Sequence, residues 1–149
     1  MPQAIDLKVA RTDTRAVVPA YSREGDAGLD LCALDTHTIE PFQRTLIATG
    51  IRMAIPAGYA GLVLPRSGHA LKKGLTLVNA PGLIDANYRG DIGIIAYNSD
   101  PEHAIEIAAG ERVAQLLIQE VPQVQVSECE ISQLDDTVRG DAGFGSSGA

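Results

Sequence analysis

Pro65-Arg66-Ser67-Gly68 follows an apolar run and opens a short segment of helix formers. The start of a helix presents free N–H groups and a partial positive charge, so anions bind there. Arg66 adds a planar two-pronged donor suited to phosphate, Ser67 a hydroxyl, and Gly68 room for close backbone approach. The same tetrapeptide also describes an ordinary capped helix with a surface arginine. Asp85 lies in Gly82-Leu83-Ile84-Asp85-Ala86-Asn87-Tyr88-Arg89-Gly90, whose centre reads as a hairpin turn. A lone Asp in a loop most often closes an Asx-turn. Here Leu83, Ile84 and Tyr88 make the stretch apolar for an exposed turn, and a carboxylate beside an apolar pocket can act as a general base on water. Tyr88 is either core or a flat ring on which a sugar packs. Asp26 and Asp30 flank Gly28 at a strand entrance, a spacing that suits a divalent cation or its bound water, or simply two solvated acids. Arg112 and Gln115 are the polar members of a turn into an apolar run, with Gln115 a ligand donor or a residue on the wet face. Near the end, Arg139 and Phe144 stand among glycines, the composition of a frayed terminus or of a ligand clamp. His37, His69 and His103 are dispersed, and Cys32 and Cys129 lie far apart without a CxxC pair, so neither a zinc site nor a disulfide framework is indicated. Buried free thiols are expected.

The elements that must hold these residues are strands. Apolar and polar residues alternate with the period of two that a half-buried strand needs, as in Ile5-Asp6-Leu7-Lys8-Val9. Strands are predicted over residues 5–9, 28–34, 44–49, 51–55, 61–64, 75–78, 92–97, 105–107, 113–119 and 124–126. Gly and Pro turn signals cut the chain at short intervals, the pattern of an all-β sandwich or barrel. One short helix is predicted over 67–73, with Ser67 as its N-cap and Gly74 as its stop. Residues 1–138 are expected to form the β domain, and residues 139–149 a flexible arm.

The composition sets limits on function. A chain of 149 residues, 45% hydrophobic and 21% charged, is one domain's worth of globular protein. Its net charge of −7 argues against holding long nucleic acid, which needs a basic surface to displace counterions. Most of the imbalance lies after residue 118, where Arg139 is the lone base. No apolar run approaches the roughly 20 residues of a membrane span. The N-terminus lacks the apolar run of a signal peptide. The expectation is a soluble, cytoplasmic protein with no membrane partner.

Taken in order, Asp26-Ala-Gly-Leu-Asp-Leu, Pro65-Arg-Ser-Gly, Gly82-Leu-Ile-Asp-Ala-Asn-Tyr-Arg-Gly, Gly110-Glu-Arg-Val-Ala-Gln and Arg139-Gly-Asp-Ala-Gly-Phe-Gly-Ser-Ser-Gly closely resemble the five motifs of the bacterial-type trimeric dUTPases. The resemblance runs from about residue 5 to the end. It implies an all-β, jelly-roll-like chain, a homotrimer with sites shared between subunits, and Mg²⁺-assisted hydrolysis of dUTP to dUMP and pyrophosphate. One subunit would supply the segments around Asp30, Arg66 and Gln115, a second residues 79–90, and a third its tail. By the same resemblance Asp85 would activate water for attack at the α-phosphorus. Asn79 and the backbone of Gly82, Leu83 and Ile84 would read the uracil edge, and Tyr88 would lie against the deoxyribose. Arg66, Ser67, Gly68 and Gln115 would hold phosphates, and Asp30 would bond to water on the Mg²⁺. Arg139 would reach the γ-phosphate, Phe144 would cover the uracil, and Gly145, Ser146 and Ser147 would close on the phosphates. Three positions depart from the family pattern: His69 stands where Leu is usual, Ala142 replaces a frequent Gly, and Ser147 a frequent Thr. A dCTP deaminase-like or bifunctional enzyme and a non-catalytic trimeric nucleotide-binding regulator share the implied fold and are the alternative functions.

Overall fold

The computed structural model describes residues 4–144. Among these, strands are β1 (Lys8–Arg11), β2 (Leu29–Cys32), β3 (His37–Ile39), β4 (Arg44–Ala48), β5 (Ile51–Ala54), β6 (Tyr59–Pro65), β7 (Leu75–Leu77), β8 (Gly82–Ile84), β9 (Gly93–Asn98), β10 (Ile105–Ile107) and β11 (Arg112–Glu120). The helix α1 (Ser67–Lys73) sits between β6 and β7, and a single 3₁₀ turn covers Ile131–Gln133. All strand pairs are antiparallel. The orders are β2-β11-β6-β8, β4-β9-β7, β1-β5 and β10-β3. The result is an all-β, jelly-roll-like architecture in which most neighbours are distant in sequence. No helix among the described residues is long and apolar enough to cross a membrane.

The period of two in the sequence reappears as burial. Ile51 and Met53 of β5, Ile94 and Ala96 of β9, and Ile105 and Ile107 of β10 point inward, while Arg52 and Glu106 between them face water. The buried core is built from Ile, Leu, Val, Ala and Met with no aromatic ring. Gly61 lets the layers close here, because a Cβ at that position would lie 2.9 Å from Ile55 Cδ1 and 3.0 Å from Leu116 Cδ1. The buried Asn98 is fully used. Its Nδ2 donates to the Ile39 and His103 carbonyls at 2.8 Å each, and its Oδ1 accepts from Asp100 N–H at 2.8 Å.

Several expectations are corrected. Residues 124–126 form no strand: Val124 and Val126 are exposed, and nothing among the described residues covers them. Strands β3 and β8 carry no strand signal in the sequence, since His37-Thr38-Ile39 and Gly82-Leu83-Ile84 do not alternate apolar with polar residues. Helix α1 has the predicted span, and Gly74 ends it with φ +70°. Its N-cap is Arg66, however, not Ser67, and no side chain caps it. Residues 82–90 do not form a simple hairpin with the strand that follows. β8 pairs with β6, whereas β9 lies between β4 and β7, so the loop crosses from one sheet to another. Cys32 is buried as expected, but Cys129 is exposed. Burial, reinforced by the nearby Asp30 carboxylate, pushes the Cys32 thiol up and keeps it protonated.

Candidate active site

Strand register brings distant residues into one cleft. On β11, Gln115 stands opposite Asp30 of β2 on one side and Leu64 of β6 on the other. One residue further along, β6 ends at Pro65, and Arg66 turns the chain into α1 with extended φ −93° and ψ 127°. Asp30, Gln115 and the start of α1 therefore converge although up to 85 residues separate them in sequence. The cleft between them has a volume of about 650 Å³. Its walls carry five cationic side chains, Arg23, Arg66, Lys72, Lys73 and Arg112, against the carboxylates of Asp26 and Asp30. A chain of net charge −7 thus concentrates positive charge where the first amides of α1 lack an intrahelical acceptor.

Asp30 is the pivot of this cleft, with its side chain 16% exposed. Ser22 Oγ donates to its Oδ2 at 2.6 Å. Arg66 Nε lies 3.4 Å from Oδ1, and Arg112 Nη1 lies 3.3 Å from Oδ2. Arg112 Nη1 also donates to Ser22 Oγ at 2.9 Å, closing a small ring of polar contacts. Asp26, by contrast, accepts from Arg23 N–H at 2.8 Å and closes its own turn. Gln115 Nε2 donates to the Pro65 carbonyl at 3.0 Å, which ties β11 to the corner that presents Arg66. Glu111, beside α1, accepts from Lys73 Nζ at 3.1 Å and from Ala108 N–H at 2.9 Å. Partial burial pushes the Glu111 carboxyl up. The Ala108 N–H, the Lys73 ammonium and His69 together outweigh it, so the group ionises below its ordinary range.

A second cleft of about 620 Å³ gathers Asn79, Gly82, Leu83, Ile84 and Tyr88. Among the described residues, none lines both clefts. A Cβ at Gly82 would come within 3.2 Å of Asn79 Nδ2, so the glycine lets the amide approach the β8 backbone. After β8 the chain turns through residues 85–88, with Tyr88 N–H donating to the Asp85 carbonyl at 3.1 Å. Tyr88 Oη donates to the Asp91 carbonyl at 3.0 Å, and Arg89 Nη1 donates to the Ala86 and Tyr88 carbonyls at 2.7 and 2.8 Å. Arg52 grips Asp91 with Nε and Nη2 at 3.0 and 3.1 Å, and this fork holds the exposed Asp91 carboxyl below its usual range. Asp85 is exposed at the loop tip and lines neither cleft.

The residues singled out in the sequence thus fall into three groups. Asp30, Arg66, Ser67, Gly68 and Gln115 share the cationic cleft. Asn79, Gly82, Leu83, Ile84 and Tyr88 share the apolar one. Arg139 and Phe144 line neither: Arg139 Nε donates to the Ala142 carbonyl at 2.8 Å, and the Phe144 ring is fully exposed. Gly145, Ser146 and Ser147 lie outside the described residues. Sequence reasoning gave no role to Ser22, Lys72 or Lys73, and left His69 and Arg112 without a partner. Ser22 had no local signal, since it reaches Asp30 only through the isolated bridge between Ala20 and Asp30.

A family model described as dUTPase matches residues 14–148. The deoxyuridine 5'-triphosphate nucleotidohydrolase of Rhodococcus erythropolis is 49% identical over 148 residues, covering 99% of this chain and 89% of that one. The Corynebacterium jeikeium protein of the same name is 51% identical, covering 95% and 92%. Among solved structures, the Staphylococcus bacteriophage 80alpha dUTPase with dUPNHPP superposes with a TM-score of 0.89 at 31% identity, covering 98% of this chain and 100% of that one. The dUTPase of phage phi11 of S. aureus, whose structure describes coordination of a structural Mg(II) ion, gives a TM-score of 0.80 at 26% identity, covering 87% and 100%. With a family model spanning most of its length and relatives at about half identity, the chain belongs to the dUTPase family.

Proposed function

We propose that the protein hydrolyses dUTP to dUMP and pyrophosphate, as a homotrimer whose sites are shared between subunits. The observation that carries this reading is the division of labour within one chain. A cationic cleft suited to a triphosphate and an apolar cleft suited to a nucleoside share no residue, and Asp85 borders neither. A complete site therefore needs a second copy to bring its loop to the cationic cleft of the first. A further feature supports association. Val124, Val126, Ile131 and Leu134 are large, exposed and apolar on a segment with no strand partner among the described residues. An apolar series of this kind calls for cover by another copy.

In this reading Arg66, the amides of Ser67 and Gly68, and Gln115 hold the phosphates, with cations and N–H donors in place before charge develops. Asn79 and the backbone of Gly82, Leu83 and Ile84 pair with the uracil edge. A cytosine there leaves buried donors and acceptors unpaired and is rejected. Tyr88 packs on the deoxyribose. Asp85 takes a proton from water as its oxygen bonds to the α-phosphorus, and the bond from that phosphorus to the bridging oxygen breaks to release pyrophosphate. Arg139 reaches the γ-phosphate of a neighbouring site, Phe144 covers the base, and Gly145, Ser146 and Ser147 complete the closure. Residues 139–149 act as an arm separate from the 1–138 β domain.

Mg²⁺ suits the residues present. Among the described residues no three His, Cys, Asp or Glu side chains cluster into a metal cage, whereas the cationic cleft holds Asp30 as a fixed carboxylate. This matches an ion that keeps its waters and binds mainly to substrate phosphates, with Asp30 accepting from a bound water. When bound, the ion neutralises charge on the triphosphate. We infer a cytoplasmic location, where free nucleotides are found, and no nucleic-acid or membrane partner. The test is to incubate pure protein with Mg²⁺ and dUTP or dCTP, and to measure pyrophosphate and ammonia. Pyrophosphate from dUTP alone supports the reading. Ammonia from dCTP indicates a deaminase, and no turnover indicates a binding protein; either result sinks it.

A further inference from the structure

Helix α1 presents Ser67 and Gly68 to the cationic cleft, yet little holds it in place by burial. It has seven residues, none of them buried, and Leu71 faces water. A helix this short does not persist in water by propensity. Polar contacts must therefore fix it: Lys73 binds Glu111 at its end, and those at its start converge on one atom. On β11 the register against β2 shifts between Arg112 and Ala114, so Val113 is an extra residue, a β-bulge. Pairing of β11 with β6 begins only at Ala114 and Pro65. The Arg112 carbonyl accepts instead from two side chains at the start of α1. Arg66 Nη1 lies at 3.2 Å and His69 Nε2 at 2.8 Å. His69 is well packed, its side chain 15% exposed. Its Nε2 is also 3.5 Å from Glu111 Oε1, but that oxygen is engaged at 3.1 Å by Lys73, so the carbonyl is the nearer acceptor.

We propose that His69 is a positioning residue for the triphosphate cleft. Its ring ties the first turn of α1 to the bulge carbonyl of Arg112. Arg66, Ser67 and Gly68 are thereby held in one arrangement toward the phosphates. The inference rests on the reading that this cleft binds the triphosphate, and it adds to that reading a residue at the cleft wall whose Nε2 is engaged by the Arg112 carbonyl. Two donors from the β6–α1 corner meet at the Arg112 carbonyl, so loss of the His69 donor leaves Arg66 to satisfy the carbonyl alone. That draws its guanidinium toward the protein backbone and away from the ligand. The effect falls on substrate binding rather than on the attack of water, because Asp85 lies on a different element.

The test uses three variants of the full chain, with steady-state kinetics on dUTP and Mg²⁺. His69→Ala removes the donor. His69→Asn keeps polarity but places its amide about one bond short, whereas His69→Gln carries Nε2 to the same reach. The expected result is a KM raised about tenfold in His69→Ala and His69→Asn, kcat within about twofold of wild type, and recovery of most of the KM in His69→Gln. If His69→Ala fails to fold, the Asn and Gln pair decides. Arg66→Gln is measured in parallel. Unchanged KM in Arg66→Gln overturns the triphosphate reading and this inference with it. A raised KM there, with wild-type KM in His69→Asn or equal damage in Asn and Gln, overturns the positioning role alone.

Discussion

A side chain at position 28 would strike Gln115: a Cβ built on Gly28 lies 2.9 Å from Gln115 Oε1 and 3.2 Å from Gln115 Cβ. The glycine at the entrance of β2 thus sets where the Gln115 amide rests, against the Pro65 carbonyl and facing the cationic cleft. Gly28→Ala should push the amide off this perch. The expected outcome is a KM for dUTP several-fold higher and a stability loss of about 1–3 kcal/mol from overpacking. Denaturant melts and steady-state kinetics check the two effects separately, and a variant with wild-type KM would remove Gln115 from phosphate binding.

Asp85 follows β8 at an exposed turn, so replacing its carboxylate disturbs no buried contact. Asp85→Asn should lower turnover by about 100-fold or more while substrate binding persists, because the base is lost and the shape kept. Pyrophosphate release and calorimetric titration with a non-hydrolysable dUTP analogue report the two halves. Turnover near wild type would exclude Asp85 as the base.

The Tyr88 ring folds back over Gly90. A Cβ there would lie 2.9 Å from Tyr88 Cε2 and closer still to Cζ and Oη. Gly90→Ala should swing the ring away and break its hydrogen bond to the Asp91 carbonyl. If Tyr88 packs on the deoxyribose, discrimination between dUTP and UTP should fall by about tenfold. The ratio of kcat/KM for the two nucleotides is the measurement, and an unchanged ratio would free Tyr88 of that role.

Glu111 ties β11 to α1 through Lys73, and its folded-state pKa lies below the ordinary value of 4.5. A depressed carboxylate pKa means that the folded state favours the ion. The contribution is present above the unfolded pKa and is lost as pH falls through the lower folded value. Glu111→Gln should melt at lower temperature than wild type near neutrality, and the gap should close as acidification protonates the folded-state carboxyl. A gap that is constant across the range would assign the effect to packing.

Among the described residues, the hydrogen bonds of residues 139–144 stay local: Arg139 Nε donates to the Ala142 carbonyl, Ala142 N–H to the Arg139 carbonyl, and Gly140 N–H to Thr137. Deleting residues 139–149 should leave the melting temperature nearly unchanged and remove most activity. Calorimetry and pyrophosphate release test both. A product that fails to fold would show that the segment is structural.

Much of the fold was legible because burial follows a period of two, and that period is written directly in residue order. Ile51, Met53, Ile105 and Ile107 alternate with polar neighbours, and their strands appear where the pattern runs. The span of α1 was legible too, since Gly74 can adopt the left-handed conformation that ends a helix. The failures share a cause. Val124 and Val126 look like strand residues, but a strand also needs a partner and a surface to cover, and the described residues supply neither.

For the site, residue types and motif order determined which groups are chemically able to act: the arginine before α1 and the glycine in its first turn, the loop carboxylate Asp85, the amides of Asn79 and Gln115. Only the tertiary structure decided which of them meet. Register across β2, β11 and β6 sets Asp30 beside Arg66, Arg112 and Ser22, while β8 carries Asn79 and Tyr88 into a different cleft. The bulge at Val113 aims the Arg112 carbonyl at His69, a contact between residues 43 positions apart. Local preferences act over a few residues, whereas these contacts follow from how non-local strands pair, and pairing is settled by the packing of the whole core.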